Sequence, residues 1–142
     1  MPLLGLIAAW LLATVWGSVV QTQWNLQALV ALDVPVPLPL RVATTLQDLA
    51  GFAPLYGGLV AAGWLPALAL AAWLARHRPA WRLPLFSAAA TLGLVAAVRA
   101  VDAVAPMPVF IDATRSTAGL LMMAAGAALG GALLARWPRE AP

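Results

Sequence analysis

The stretch APLYGGLVAAGWLPALALAAWLA at residues 53–75, followed at once by RHRPAWR at residues 76–82, decides how this chain folds. The first part carries no charged side chain, and at about 1.5 Å per helical residue it is long enough to cross a hydrocarbon core of roughly 30 Å. The second part gathers Arg76, His77, Arg78 and Arg82 into one short loop. An apolar helix that ends in a run of arginine reads as a membrane span whose basic end stays in the cytoplasm.

Working outward, residues 3–20, 83–104 and 117–135 are apolar stretches of the same kind. The expected fold class is therefore an all-α integral membrane protein. It forms a single domain over residues 1–142, with four transmembrane helices in a compact bundle. Composition agrees, because the chain is 63% hydrophobic and 9% charged with a mean hydropathy of +0.91, whereas soluble domains are roughly half apolar and a quarter charged. The first stretch lacks the basic segment of a secretory signal and has Trp16 where a cleavage site calls for small residues, so it reads as a retained span.

Beyond span four come Arg136 and Arg139, whereas the other two loops hold one or two Arg each, offset by Asp. Both termini are thus expected in the cytoplasm. All eight basic residues are Arg. With Lys absent and Ala, Leu, Gly and Pro abundant, the codon bias of a GC-rich bacterium fits, and the expected location is the bacterial cytoplasmic (inner) membrane.

Residues 21–52 are too many for a turn and too apolar for a solvated loop. They are expected to form a long outer loop on the bilayer surface. In this reading a short interfacial helix covers residues 24–32, an extended run follows at Pro35-Val36-Pro37-Leu38-Pro39, and a second short helix covers residues 42–49 before Gly51 ends it. A re-entrant hairpin is the other reading of this segment. Pro37-Leu38-Pro39 and Pro106-Met107-Pro108 share a faint likeness that chance explains in so biased a composition.

The chemistry available is narrow. Without Cys there is no disulfide, thiolate metal site or dithiol redox couple. A lone His77 cannot supply the paired axial ligands of a membrane b-type haem. No nucleotide loop, HExxH or Gly-x-Ser-x-Gly pattern occurs, and the arginines are too scattered to form a nucleic-acid groove. Carboxylates are limited to Asp33, Asp48, Asp102, Asp112 and the tail residue Glu140. An enzyme would have to use Asp102 or Asp112 as a base with no visible nucleophile or metal.

Three constellations remain. Trp10 and Trp64 lie mid-span, where an indole N–H wants an acceptor, and Pro66 frees the carbonyl of Ala62. These residues read either as packing bulk or as an apolar pocket for a lipid or quinone-like molecule. Gly119, Gly126 and Gly130 fall on one face of span four and mark a close-packing seam, with a partner in this chain or in a second subunit. Arg99 and Asp102, spaced i,i+3, read as an ion pair inside span three, and at the outer mouth Arg115 is expected to meet Asp102, with Arg99 facing Asp112 in a crossed set of all four charges. In that set Asp112 caps span four, and one Arg is available to a lipid phosphate or anion if the network is not fully internal.

The functional expectation is a non-enzymatic inner-membrane protein, an accessory or anchoring subunit of a larger complex. A lipid, quinone or small-anion binding or transport protein is the alternative. The expected partners are the bilayer, another membrane or periplasmic protein, or a second copy through span four; no nucleic acid is expected and no cofactor beyond a bound lipid or quinone. The orientation is testable because the chain has no native Cys. A single Cys at Ala80 should resist a membrane-impermeant thiol reagent in intact cells and one at Val34 should react, while the reverse pattern would invert the topology.

Overall fold

The stretch at residues 53–75 belongs to a single helix of 40 residues, Leu38–His77, in the computed structural model, which describes residues 3–105 and 109–138. Expectations that rest on Pro106, Met107, Pro108, Arg139 and Glu140 lie outside the described residues. The helices are α1 (Leu3–Val30), α2 (Leu38–His77), α3 (Arg82–Val104) and α4 (Thr117–Arg136), with 3-10 turns at Pro79–Trp81 and Asp112–Arg115. Among the described residues there is no strand, and all four helices are long and apolar enough to cross a membrane.

Each helix packs against its sequence neighbours, and α4 closes the ring against α1. The pairing is antiparallel throughout. Trp10 meets Gly57 while Thr22 meets Asp48, Trp64 meets Ala90, and Arg82 at the start of α3 meets Ala135 at the end of α4. One end of the bundle therefore collects Leu3, the Pro79–Trp81 turn and Arg136. The opposite end collects the α1–α2 turn and the α3–α4 connection.

α3 and α4 match the expected spans within a few residues, but α1 and α2 do not. The two separate short helices expected in residues 21–52 are not formed. Residues 24–30 continue α1, and the segment 42–49 lies inside α2, which passes through Gly51 and Pro54 without a break. Local punctuation was outweighed by tertiary contacts. Thr22, Gln23 and Arg41 hydrogen-bond across the two helices, and within α2 Phe52 stacks on Tyr56 one turn away, with ring centroids 5.6 Å apart. Ala50 and Pro54 are both exposed, so the carbonyl that Pro54 leaves without a helical partner faces outward. The extended run survives only as far as Pro37, with φ −69° and ψ 158°, and Pro39 sits in the first turn of α2, where its missing N–H costs nothing. Asp33, at φ 60°, supplies the left-handed residue that closes α1, and the Val34 N–H reaches back to the carbonyl of Leu29 at 3.1 Å.

Because lipid is as apolar as leucine, leucine need not be buried, and small residues take the places where helices approach closely, around a core that holds Trp64, Tyr56 and Phe86. Gly5, Ala9, Ala13 and Gly17 form a buried stripe at i,i+4 spacing on α1, while Leu11, Leu55, Leu65, Leu70, Leu92 and Leu121 point outward. The closest approach is between α2 and α3. A Cβ on Gly63 would fall on the carbonyl oxygen of Gly93, and one on Gly93 would meet the carbonyl oxygen of Gly63 at 2.6 Å.

From this region α3 continues to Val104, whereas α2 runs back to Leu38. Measured from the Trp64–Ala90 contact, α2 therefore overshoots α3 by about 12 residues, roughly 18 Å. The α1–α2 turn thus stands beyond the end of α3 as a helical hairpin.

Glycine substitutions separate these effects. Gly63→Ala or Gly93→Ala should lower stability by about 1–3 kcal/mol through overpacking. Gly51→Ala and Gly58→Ala, where a Cβ meets nothing within 4 Å, should raise it by about 0.5–1 kcal/mol through helix propensity. Thermal unfolding in mild detergent reads both, and equal behaviour of the two pairs would refute the α2–α3 crossing.

Candidate functional site

Each of the four helix–helix contacts carries a side chain that donates to a main-chain carbonyl across it. Trp10 Nε1 donates to Gly57 O at 2.8 Å between α1 and α2, and Trp64 Nε1 donates to Ala90 O at 3.0 Å between α2 and α3. Trp16 Nε1 donates to Met122 O at 2.8 Å between α1 and α4, and Arg82 Nε donates to Ala135 O at 2.8 Å between α3 and α4. A helix carbonyl has a second lone pair, and in hydrocarbon it is the acceptor most readily available to an indole. Arg82 also satisfies carbonyls at the negative end of α4 and lies 5.0 Å over the Phe86 ring.

The same aromatics sit on glycines. A Cβ on Gly17 would strike Tyr56, one on Gly126 would strike Trp16, one on Gly57 would meet Trp10 at 2.7 Å, and one on Gly130 would meet Trp64 at 2.6 Å. Of the three glycines singled out on span four, Gly126 and Gly130 thus face α1 and α2, whereas Gly119 faces the Ala113 carbonyl of the incoming loop. All three are buried inside this chain.

Trp10 and Trp64 border a common apolar groove of about 190 Å³ with Leu6, Ala61 and Leu68. Pro66 does not line it; both Pro66 and Ala62 are exposed on the outer side of α2. The Trp64 indole, 2% exposed, is satisfied by α3 rather than by the carbonyl that Pro66 frees.

The crossed set at the outer mouth is not formed. Arg99 lies 3.9 Å from Asp102 and Arg115 2.8 Å from Asp112, each pair at i,i+3. Local geometry explains the difference. Asp112 opens a 3-10 turn rather than α4, Ser116 is the N-cap whose Oγ accepts from the Gly119 N–H at 3.0 Å, and Arg115 therefore lies outside α4 with its side chain 61% exposed. Asp102 Oδ1 accepts from the Phe110 N–H at 2.9 Å and fixes the α3–α4 connection.

Sequence reasoning missed the polar interior of α1 and the hairpin. Thr14, Ser18 and Thr22 recur at i,i+4, with Gln21 beside them, and all four are buried. The Thr22 hydroxyl lies 2.9 Å from Ser18 O and 2.7 Å from Asp48 Oδ2. Gln23 Nε2 donates to Thr45 Oγ1 at 2.9 Å, and Arg41 Nη1 donates to Gln23 Oε1 at 3.0 Å. Gln21 Oε1 accepts from the Ala113 N–H at 2.9 Å and pins the α3–α4 connection to α1. Deeper in the bundle Thr14 Oγ1, Ser18 Oγ and Tyr56 OH are buried without a hydrogen-bond partner from the protein. The signal that pointed to this face was the helical spacing of hydroxyl and amide residues through the end of span one.

The hairpin therefore joins its helices through polar groups and is mainly apolar outside, where Gln27, Asp33 and Gln47 are the exposed polar residues. Leu29, Val30, Leu32, Val34, Leu38, Leu40, Val42 and Leu46 are exposed around its tip and sides. No family model, curated protein or solved structure matches the chain.

Two substitutions weigh the hydroxyls. Thr22→Val removes the contact to Asp48 and should cost about 1–3 kcal/mol. Tyr56→Phe removes a hydroxyl that no protein group engages and should leave the thermal midpoint unchanged or raised. A loss for Tyr56→Phe as large as that for Thr22→Val would mean that the phenol has a partner from outside the chain.

Proposed function

We propose that this protein is a non-enzymatic accessory or anchoring subunit of a larger assembly in the bacterial inner membrane, with its termini in the cytoplasm and the α1–α2 hairpin on the opposite side. The observation that carries this reading is the reversed polarity of a hairpin that overshoots α3 by roughly 18 Å. The headgroup layer beyond the hydrocarbon is only about 5–8 Å deep on each side. With the end of α3 set at the hydrocarbon boundary, the tip stands past that layer, and Leu32, Leu38 and Leu40 facing outward are unfavourable in water, since covering each such side chain contributes about 1.5–3 kcal/mol. An apolar face on another protein supplies that cover.

The absence of catalytic machinery in this reading is supported by what the carboxylates do. Asp48 accepts from Thr22, Asp102 from the Phe110 N–H, and Asp112 pairs with Arg115, so each has a structural use. The arginine-rich end formed by Arg76, Arg78, Arg82 and Arg136 lies with Leu3 and supports the cytoplasmic placement of both termini.

A benzophenone amino acid at Leu32 or Leu40 should give one protein adduct of discrete mass in the native host. The same probe at Leu70 or Leu92, which face outward from the bundle, should give lipid adducts only. The double variant Leu32→Glu with Leu40→Glu should remain folded yet lose the stoichiometric partner on purification in mild detergent. Lipid adducts alone at the tip positions, or only dimers of this chain, would end the accessory-subunit reading.

A further inference from the structure

Apart from the hairpin tip, the outer half of α1 borders a second groove, of about 840 Å³, within the size range of small-molecule sites. It extends along the helix from Leu12 to Ala31, and its part from Leu12 to Gln27, about 22 Å, matches the depth of one leaflet, while Ala28 and Ala31 continue toward the hairpin tip. Its lower part is walled by Trp16, Val19 and Met122. The Trp16 N–H is already engaged by Met122 O, so the indole offers that space only carbon.

The upper part is different. Gln23, Gln27 and Arg41 reach it, and no carboxylate lines it. Arg41 is held in place by a closed loop of hydrogen bonds: its Nη1 donates to Gln23 Oε1 at 3.0 Å, Gln23 Nε2 donates to Thr45 Oγ1 at 2.9 Å, and Thr45 Oγ1 donates back to Arg41 O at 2.7 Å. Among the described residues Arg41 has no ion-pair partner, because Asp48 is turned to Thr22 inside the hairpin. An oriented guanidinium with N–H groups to spare, at the mouth of an apolar trough, is complementary to a phosphate that carries an acyl chain.

We propose that this groove binds one anionic phospholipid of the surrounding leaflet, its chain along Trp16, Val19 and Met122 and its phosphate at Arg41. The site is independent of the accessory-subunit reading and would exist whether or not the hairpin tip has a partner.

Native mass spectrometry of the full chain tests it, after delipidation and exposure to an equimolar mixture of phosphatidylglycerol and phosphatidylcholine with identical chains. The wild type should retain one phosphatidylglycerol about fivefold over phosphatidylcholine, the factor expected from one arginine at an anionic lipid. Arg41→Gln should remove that preference, and Arg99→Gln should leave it intact. Ala28→Trp, an exposed position that lines the groove, should remove bound lipid of both kinds while leaving Arg41 in place. Millimolar inorganic phosphate should displace nothing.

Equal retention of the two lipids by the wild type would overturn the proposal. So would an unchanged preference in folded Arg41→Gln, or displacement by inorganic phosphate, which would define a bare anion site. Should Arg41→Gln fail to fold, Ala28→Trp decides alone: a folded Ala28→Trp protein that keeps the preference refutes the groove.

Discussion

An indole N–H buried in hydrocarbon has to find an acceptor, and a helix offers it the second lone pair of a main-chain carbonyl. To reach that lone pair the ring must lie against the neighbouring backbone, which requires a residue without a side chain beneath it. Trp10 over Gly57 meets both conditions at one residue. Trp16 does so with Gly126 of α4 below it and Met122 O of the same helix as its acceptor, while Trp64 lies over Gly130 of α4 and donates to Ala90 O of α3. Each such pair supplies close packing, where apolar burial gives no driving force between helices, together with a directional bond that fixes the register. The placing of α1 against α2 and α4 follows from where the sequence puts tryptophan opposite glycine, while α3 is held by the Gly63–Gly93 approach and by Arg82.

The hairpin solves a related problem with different residues. Above the last tryptophan contact, α1 and α2 are joined by Thr22, Gln23, Arg41, Thr45 and Asp48 rather than by rings. Polar groups that bond each other between two helices leave leucine and valine for the outer surface, which is the arrangement of a segment whose surroundings are apolar. The lipid groove and the tip share this origin. Arg41 is drawn into the seam by Gln23 yet keeps part of its guanidinium at the surface, and the exposed leucines occupy positions that the polar seam did not claim.

The four spans were legible because hydropathy over about 20 residues is a property of the segment itself, needing no knowledge of its neighbours. The basic loop at Arg76–Arg82 was legible for the same reason. The hairpin was not, because Gly51, Pro54 and the Pro35–Pro39 run are local stop signals, while the bonds that override them, Thr22 to Asp48 and Gln23 to Thr45, join residues more than 20 apart. The ion pairs were legible in part. Arg99 and Asp102 could be paired from their i,i+3 spacing, but a long-range crossing was expected for Arg115, which instead finds Asp112 three positions away, since the one-turn geometry needs no loop to close. The glycines of span four could be placed on one face by counting, but which ring would cover each depended on α1 and α2.

The unbroken course of α2 has a mechanical consequence. Gly63 is clamped against Gly93 with no side chain between them, and the two prolines, Pro54 and Pro66, stand on either side of that clamp. Each proline deletes one rung of the i→i−4 ladder, so bending concentrates at those two positions. The helix is therefore an articulated rod with a fixed middle: an outer arm of about 24 Å from Leu38 to Pro54, a short clamped segment, and an inner arm of about 16 Å from Pro66 to His77. A sideways load on the hairpin bends the helix most easily at Pro54 and one on the arginine loop at Pro66, with the Gly63–Gly93 contact between the two bending points.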